Sequence, residues 1–225
     1  MRKMIVRLAV VSLVGLSLLT GCTPLQGNQN STSQSAASQQ VKSDVIATVN
    51  NEQITAKDLE FFKQTNLIQL EIKKEELKKK YHGDELKREL EYLDTNIKGA
   101  TDNNTVLTQS IRLIGISLLA KEKGYSVSEK DVQQEMTKQK NLYQSQPNVA
   151  KIMEDFGEAD FWKHEEKRQE QLYLAAKVQK DMIEQTKKEN PKASEKQIAY
   201  DAEKKYEDLL VSQMGTLKIT FSHKN

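Results

Sequence analysis

Residues 106–123, VLTQSIRLIGISLLAKEK, decide the reading of this chain. Leu107, Ile111, Ile114 and Leu118 advance in steps of four, three and four, the spacing of one face of an α-helix. Val106, Leu113, Ile116 and Leu119 widen that stripe well beyond the width a surface helix needs. A helix apolar around this much of its circumference is expected inside a bundle, with neighbours on several sides. Gly124 follows at the position where a left-handed residue closes a helix. Ser128-Glu129-Lys130-Asp131 then has the form of a capping box that opens the next helix. The fold is therefore expected to be mainly α, an elongated multi-helix body around this segment.

Working outward, the same logic sets the other helices. Thr55 with Asp58 three residues on reads as a capping box, and a helix should run from about Ala56 to Tyr81. Leu59, Phe62, Asn66, Leu70 and Leu77 mark its inner face, with Phe61 and Ile68 beside it. Gly83 should break it, and a second helix should reach about Ile97. Residues 99–105, GATDNNT, read as a loop. After the helix that Ser128 opens, Pro147 marks a stop. A short helix is expected over about Val149–Phe156, closed by Gly157. A long one should span about Ala159–Asn190, with Trp162, Leu172, Ala175, Val178 and Met182 or Ile183 near one side. Asn190-Pro191 ends it. Ser194 caps a last helix, about Glu195–Met214, on which Ile198, Ala202, Tyr206, Leu209 and Leu210 recur at helical spacing, and Gly215 should end it.

Two short segments have strand chemistry. Val45-Ile46-Ala47-Thr48-Val49 is rich in β-branched residues and ends at Asn50-Asn51, a turn pair. Leu217-Lys218-Ile219-Thr220-Phe221 alternates apolar and polar residues. A lone strand leaves its backbone groups unpaired, so 45–49 is expected to pair with 217–221 in a small two-strand unit joining the N- and C-terminal segments.

The start of the chain has a different character. Arg2, Lys3 and Arg7 precede a 12-residue apolar run, LAVVSLVGLSLL, over residues 8–19. That is the order of a secretory signal peptide, and the run is short for a bilayer span. It leads into Leu19-Thr20-Gly21-Cys22, which resembles the bacterial lipobox. The resemblance implies removal of residues 1–21, acylation of Cys22 (a palmitate-type modification) and anchoring at the extracytoplasmic face of the cell membrane. Residues 22–43 are mostly Gln, Ser, Asn and Thr. They carry too little apolar surface to offset chain entropy, and are expected to form a disordered tether with a reach of about 25 Å. The folded region would be residues 44–225.

The chain carries 34 basic and 32 acidic residues, net +2. Three of the basic ones lie in the leader, so the rest is close to neutral. Lysines alternate with glutamates along the helices, the pattern of a solvated face. No clustered basic face points to nucleic acid. Cys22 is the single cysteine, so no disulfide within the chain contributes to stability. No G-x-S-x-G, P-loop or H-E-x-x-H motif is present. His82, His164 and His223 read as surface residues rather than as a catalytic or metal centre. The expectation is a protein that is not an enzyme and needs no cofactor or metal. Phe156, Phe161 and Trp162 form the one aromatic cluster. Either they join two helices in the core, or they offer an apolar patch that binds unfolded clients.

Residues 45–59, VIATVNNEQITAKDL, resemble the opening of the SurA and PrsA type of extracytoplasmic chaperones, where a strand leads through a turn to a capped helix. Residues 113–132, LIGISLLAKEKGYSVSEKDV, resemble that family's core helix, its corner and the helix after it. The two stretches frame residues 44 to about 145. The resemblance implies a SurA N-terminal-like domain whose C-terminal segment, 195–221, packs back on the N-terminal region. It also implies a chaperone role in protein folding, with unfolded or newly exported polypeptides as partners. A homodimer is compatible with the sequence. Many members carry a parvulin-type isomerase domain between the two halves. Residues 147–195 have neither the length nor the residues for one, so isomerase activity is not implied. A structural or adaptor lipoprotein, with one dedicated envelope or spore-assembly partner, is the alternative.

Anchoring through Cys22 has a direct consequence. Cys22→Ala is expected to move the protein from the membrane to the soluble fraction on cell fractionation. Unchanged membrane association would refute the lipid anchor.

Overall fold

A computed structural model describes residues 44–222. The expected leader and tether, Cys22 and His223 lie outside the described residues. Seven helices and a three-stranded antiparallel sheet make the fold mainly α. Strand β1 (Val45–Val49) and strand β2 (Glu52–Thr55) form a hairpin that runs directly into helix α1 (Ala56–Lys80). Helices α2 (Gly83–Ala100), α3 (Asn103–Glu122), α4 (Glu129–Gln144), α5 (Pro147–Phe156), α6 (Glu158–Glu189) and α7 (Glu195–Thr216) follow, and strand β3 (Ile219–Phe221) closes the chain. No described helix is long and apolar enough to cross a membrane.

The expected pairing of the two terminal segments is present, with Val49 opposite Ile219, Thr48 opposite Thr220 and Ala47 opposite Phe221. A third strand, not expected from the sequence, adds to it: β2 pairs with β1 from Val49 opposite Glu52 to Val45 opposite Thr55. Its origin is local. Asn50 adopts φ 53°, and a tight two-residue connection with positive φ matches the twist of paired strands. Asn50 also ties β3 in. Its backbone N–H donates to the Lys218 carbonyl at 2.8 Å, and its Oδ1 accepts from the Lys218 N–H at 2.9 Å.

The sheet packs on α3. Ala47, Val49 and Val106 are completely buried, in a cluster with Ile54, Leu59, Ile111 and Ile114. Farther along α3, Ile116, Leu119 and Ala120 pack with Leu174, Ala175 and Val178 of α6 and Leu210 of α7. The broad apolar circumference of 106–123 thus meets the sheet near one end and two helices near the other. Gly115 permits close approach of α7: a Cβ there would stand 2.7 Å from Met214 Sδ.

Several boundaries and faces differ from the sequence reading. The 99–105 loop shrinks to Thr101 and Asp102, because α2 continues to Ala100 and Asp102 caps α3 by accepting the N–H groups of Asn104 and Thr105. Gly215 lies inside α7, which ends one residue later. On α1, Phe61 and Ile68 are core residues, while Phe62 and Asn66 are half-buried. On α6, Leu174 is buried, while Trp162, Leu172, Met182 and Ile183 are half-buried. Both helices are long and meet different neighbours along their length, so one straight stripe cannot describe them. Asn66 has a polar role instead, donating to the Ala100 carbonyl at 2.6 Å and to Gln109 Oε1 at 3.0 Å.

The caps follow their sequence signals. Thr55 and Asp58 form the complete capping box. Ser128 accepts the Asp131 N–H, and its hydroxyl donates to the Asp131 carboxylate at 2.7 Å. The α3–α4 corner is a full Schellman motif: Tyr125 N–H reaches the Ala120 carbonyl, Gly124 N–H reaches that of Lys121, and Gly124 adopts φ 82°. Gly124→Ala is expected to lower stability by about 1–2 kcal/mol, the cost of a side chain in the left-handed region, read as a lowered urea midpoint at unchanged slope. An unchanged midpoint would mean that the corner does not need glycine.

Candidate functional site

Helix α6 carries most of the polar and aromatic chemistry of the body. Its first turns follow Gly157, the single residue between α5 and α6, at φ 97°. This sharp corner turns Phe156 and Phe161 toward each other and against Phe61 of α1. The Phe61–Phe161 centroids are 5.3 Å apart and the Phe61–Phe156 centroids 6.0 Å. Trp162 stacks on Tyr143 of α4 at 5.9 Å. Phe161 is completely buried, and Phe156 and Trp162 are half-buried, all in a cluster with Ile68, Val149 and Met153. As packed, the trio joins α1, α4, α5 and α6 and does not present an open client-binding patch. Edge-to-face and offset aromatic pairs hold such a hub more firmly than area burial alone.

Beneath the aromatics lies a polar seam. Glu165 is completely buried and accepts two bonds from Arg168, each 2.8 Å, and one from the Gln169 amide at 2.7 Å. Both pairs fit ordinary helical spacing, Arg168 three residues and Gln169 four residues after Glu165. The Tyr143 hydroxyl lies beside Arg168 and accepts from Gln69 at 3.4 Å. Burial, then the Glu165 charge, pushes the Tyr143 pKa well above the ordinary phenol value. For Arg168, burial alone would lower the pKa, but the Glu165 charge and hydrogen bonds outweigh it and hold it above the ordinary value. Both groups keep their neutral-pH forms. The sequence offered one clue to this seam: Glu165 stands one turn after Phe161, on the same inward stripe.

His164 packs on the Phe61 ring at 5.3 Å. Its Nδ1 lies 2.7 Å from the Asp160 carbonyl, which makes Nδ1 the protonated nitrogen. Its Nε2 faces Asp58 Oδ1 at 3.6 Å. The other Asp58 oxygen is committed to the α1 cap, accepting from Thr55 N–H and Oγ1. Gln53, Asp58, His164, Arg168, Gln171 and Phe61 line a nook of about 30 Å³. That is room enough for a water molecule. His82, at the start of α2, is exposed and makes no side-chain cap bond. Among the described residues no three His, Cys, Asp or Glu side chains are grouped as metal ligands would be.

The larger concavity is on the other side of α6. An open groove of about 470 Å³ runs between α6 and the start of α4. Val127 and Val132 are its apolar residues, with Val132 only 7% exposed. Glu129 of α4 and Lys163, Glu166, Lys167 and Glu170 of α6 form its charged rim. None of these stood out in the sequence, where alternating charges on a helix read as solvation. The groove exists because the α3–α4 corner is pinned to α6. Tyr125 hydroxyl bonds Asp181, and Lys177 donates to the Ser126 carbonyl at 2.8 Å.

No family model, curated protein or solved structure matches this chain.

Removing one partner of the buried pair should be far more harmful than removing both. Arg168→Met is expected to destabilise by about 3–5 kcal/mol, because it strands the Glu165 carboxylate, while Arg168→Met with Glu165→Leu should recover most of that loss. Equal losses in the single and double variants, measured by urea unfolding, would show that the pair does not act as a unit.

Proposed function

We propose that this protein is a lipid-anchored, extracytoplasmic chaperone- or foldase-like protein that holds segments of unfolded or newly exported polypeptides without isomerase chemistry. The α4/α6 groove carries the reading. It is open, its volume lies within the roughly 300–1,000 Å³ range of ligand sites, and it joins an apolar floor to a rim of both charges. Being open and half charged, it would leave most of a small molecule exposed, while it could hold one stretch of a longer extended chain. The order of elements supports it as well. A strand, a turn and a capped helix open the body, a core helix turns through Gly124 into the next helix, and β3 returns to β1. That is the arrangement the SurA/PrsA resemblance implies. Residues 147–194 form two helices and the connection after them, with no α/β unit of the parvulin kind in that interval.

A second reading, a dedicated adaptor lipoprotein, draws on a different observation. The large exposed apolar residues Tyr92, Leu142, Tyr200, Val211 and Phe221 are spread over four elements. A general holdase would be expected to expose a continuous apolar surface of several hundred Å².

The test is suppression of aggregation. The chain, purified without its lipid, is added at equal molarity to a reduced, aggregating protein while light scattering is followed. Reduced scattering is expected. No effect from folded protein, together with recovery of one partner on affinity capture from cell envelopes, would favour the adaptor.

A further inference from the structure

We propose that the α4/α6 groove selects polypeptide segments in which a lysine or arginine adjoins an aliphatic residue. The cation would sit between Glu129 and Glu166, and the aliphatic side chain on Val127 and Val132. The proposal deepens the polypeptide-holding reading and rests on it.

The argument is one of charge complementarity. Of the five charged side chains on the rim, two are already engaged. Lys167 faces Glu52 at 3.6 Å, and Glu170 faces Lys121 at 3.5 Å. Glu129, Lys163 and Glu166 have no ion-pair partner among the described residues. Glu166 receives only the neutral Gln133 amide, at 2.6 Å on Oε1, so its second oxygen is open. The groove therefore has two uncompensated carboxylates, one on each wall, and one uncompensated lysine on α6. A cation entering between the walls meets both carboxylates. A carboxylate entering there meets two like charges.

The valines supply what the charges cannot. Ion pairs at a solvated rim are worth little alone, about 0–1 kcal/mol each. Burial of an aliphatic side chain adds a non-directional contribution. Lysine and arginine stems also pack on apolar surface while their heads stay in water. The occupant that uses both features is a mixed basic and aliphatic segment, and Lys163 disfavours a second cation next to it on the α6 side.

The test uses the full chain in detergent and a fluorescent peptide alternating lysine and valine, compared with the same peptide carrying glutamate for lysine. Anisotropy is expected to show the lysine peptide binding roughly tenfold more tightly at low salt, a preference that shrinks as salt screens the rim. Glu129→Lys with Glu166→Lys, both exposed positions, should abolish that preference with an unchanged circular dichroism spectrum. Equal affinity for the two peptides, or an unchanged preference in the double variant, overturns the proposal. So does sedimentation showing that the double variant only breaks a dimer, since the groove would then seat a second copy. Two further results separate this proposal from the broader reading. Aggregation suppression that survives the double variant removes the basic selectivity and leaves the holding function elsewhere. Glutamate-dependent binding of the lysine peptide, in a protein that suppresses no aggregation, keeps the selectivity and points to a dedicated basic partner.

Discussion

Strand β1 is five residues long and cannot stand alone, because an unpaired buried backbone group costs as much as a lost hydrogen bond. Its two neighbours come from opposite directions in the chain. β2 arrives after a two-residue turn, and β3 arrives from more than 160 residues away. The completed sheet covers one part of α3, so Ala47 and Val49 disappear completely into the same cluster as Val106 and Ile114. Leu217 and Met214 pack against that cluster from the C-terminal side. The position of α7 therefore depends on the strand that follows it, and the α3 contacts with α6 and α7 depend in turn on α7. Asn50 concentrates this dependence: its left-handed backbone makes the hairpin, and its side chain and N–H both bond Lys218.

Helix α6 is the second organiser. At 32 residues it is the longest element among the described residues, and it touches different partners along its length. Phe161 and Trp162 enter the aromatic hub, Glu165 and Arg168 the polar seam, and Leu174, Ala175 and Val178 the α3/α7 cluster. A buried, bidentate ion pair adds little net stability, because desolvation offsets most of its attraction. It does tie α6 to α4, since Glu165 and Arg168 move together and a rotated α6 would carry both away from the Tyr143 hydroxyl. The same rotation would carry Lys163, Glu166 and Glu170 away from Val127 and Val132. The buried seam and the open groove are opposite consequences of one helix orientation.

Much of this fold was legible in the sequence because its signals are local. Helical spacing of apolar residues, the Thr55 and Ser128 caps, the Gly124 corner, the stop at Pro147 and the close of α5 at Gly157 each act within a few residues. Their positions held to within one turn. The pairing of 45–49 with 217–221 was also within reach, because these were the two segments with evident strand chemistry, although β2 was missed. The 99–105 stretch misled because Gly and Asn there suggested a loop, while hydrogen bonding carried α2 through Gly99 and let Asp102 cap the next helix at once.

The sequence by itself determined most of the helices, the caps at Thr55, Ser128 and Ser194, and that residues 106–123 would form a core element. Those outcomes follow from backbone conformation and from hydrogen bonds over three or four positions. The tertiary structure alone decided which face of α1 and α6 is inward at each level, that Glu165 is interior while Glu166 is open, and that Phe156, Phe161 and Trp162 form a hub rather than a surface. It alone brought Glu129 and Glu166 to the rim of one groove with Val127 and Val132. Adjacent glutamates on a lysine-rich helix look alike in sequence, because a side chain's burial depends on the neighbour packed against it, and that neighbour comes from elsewhere in the chain.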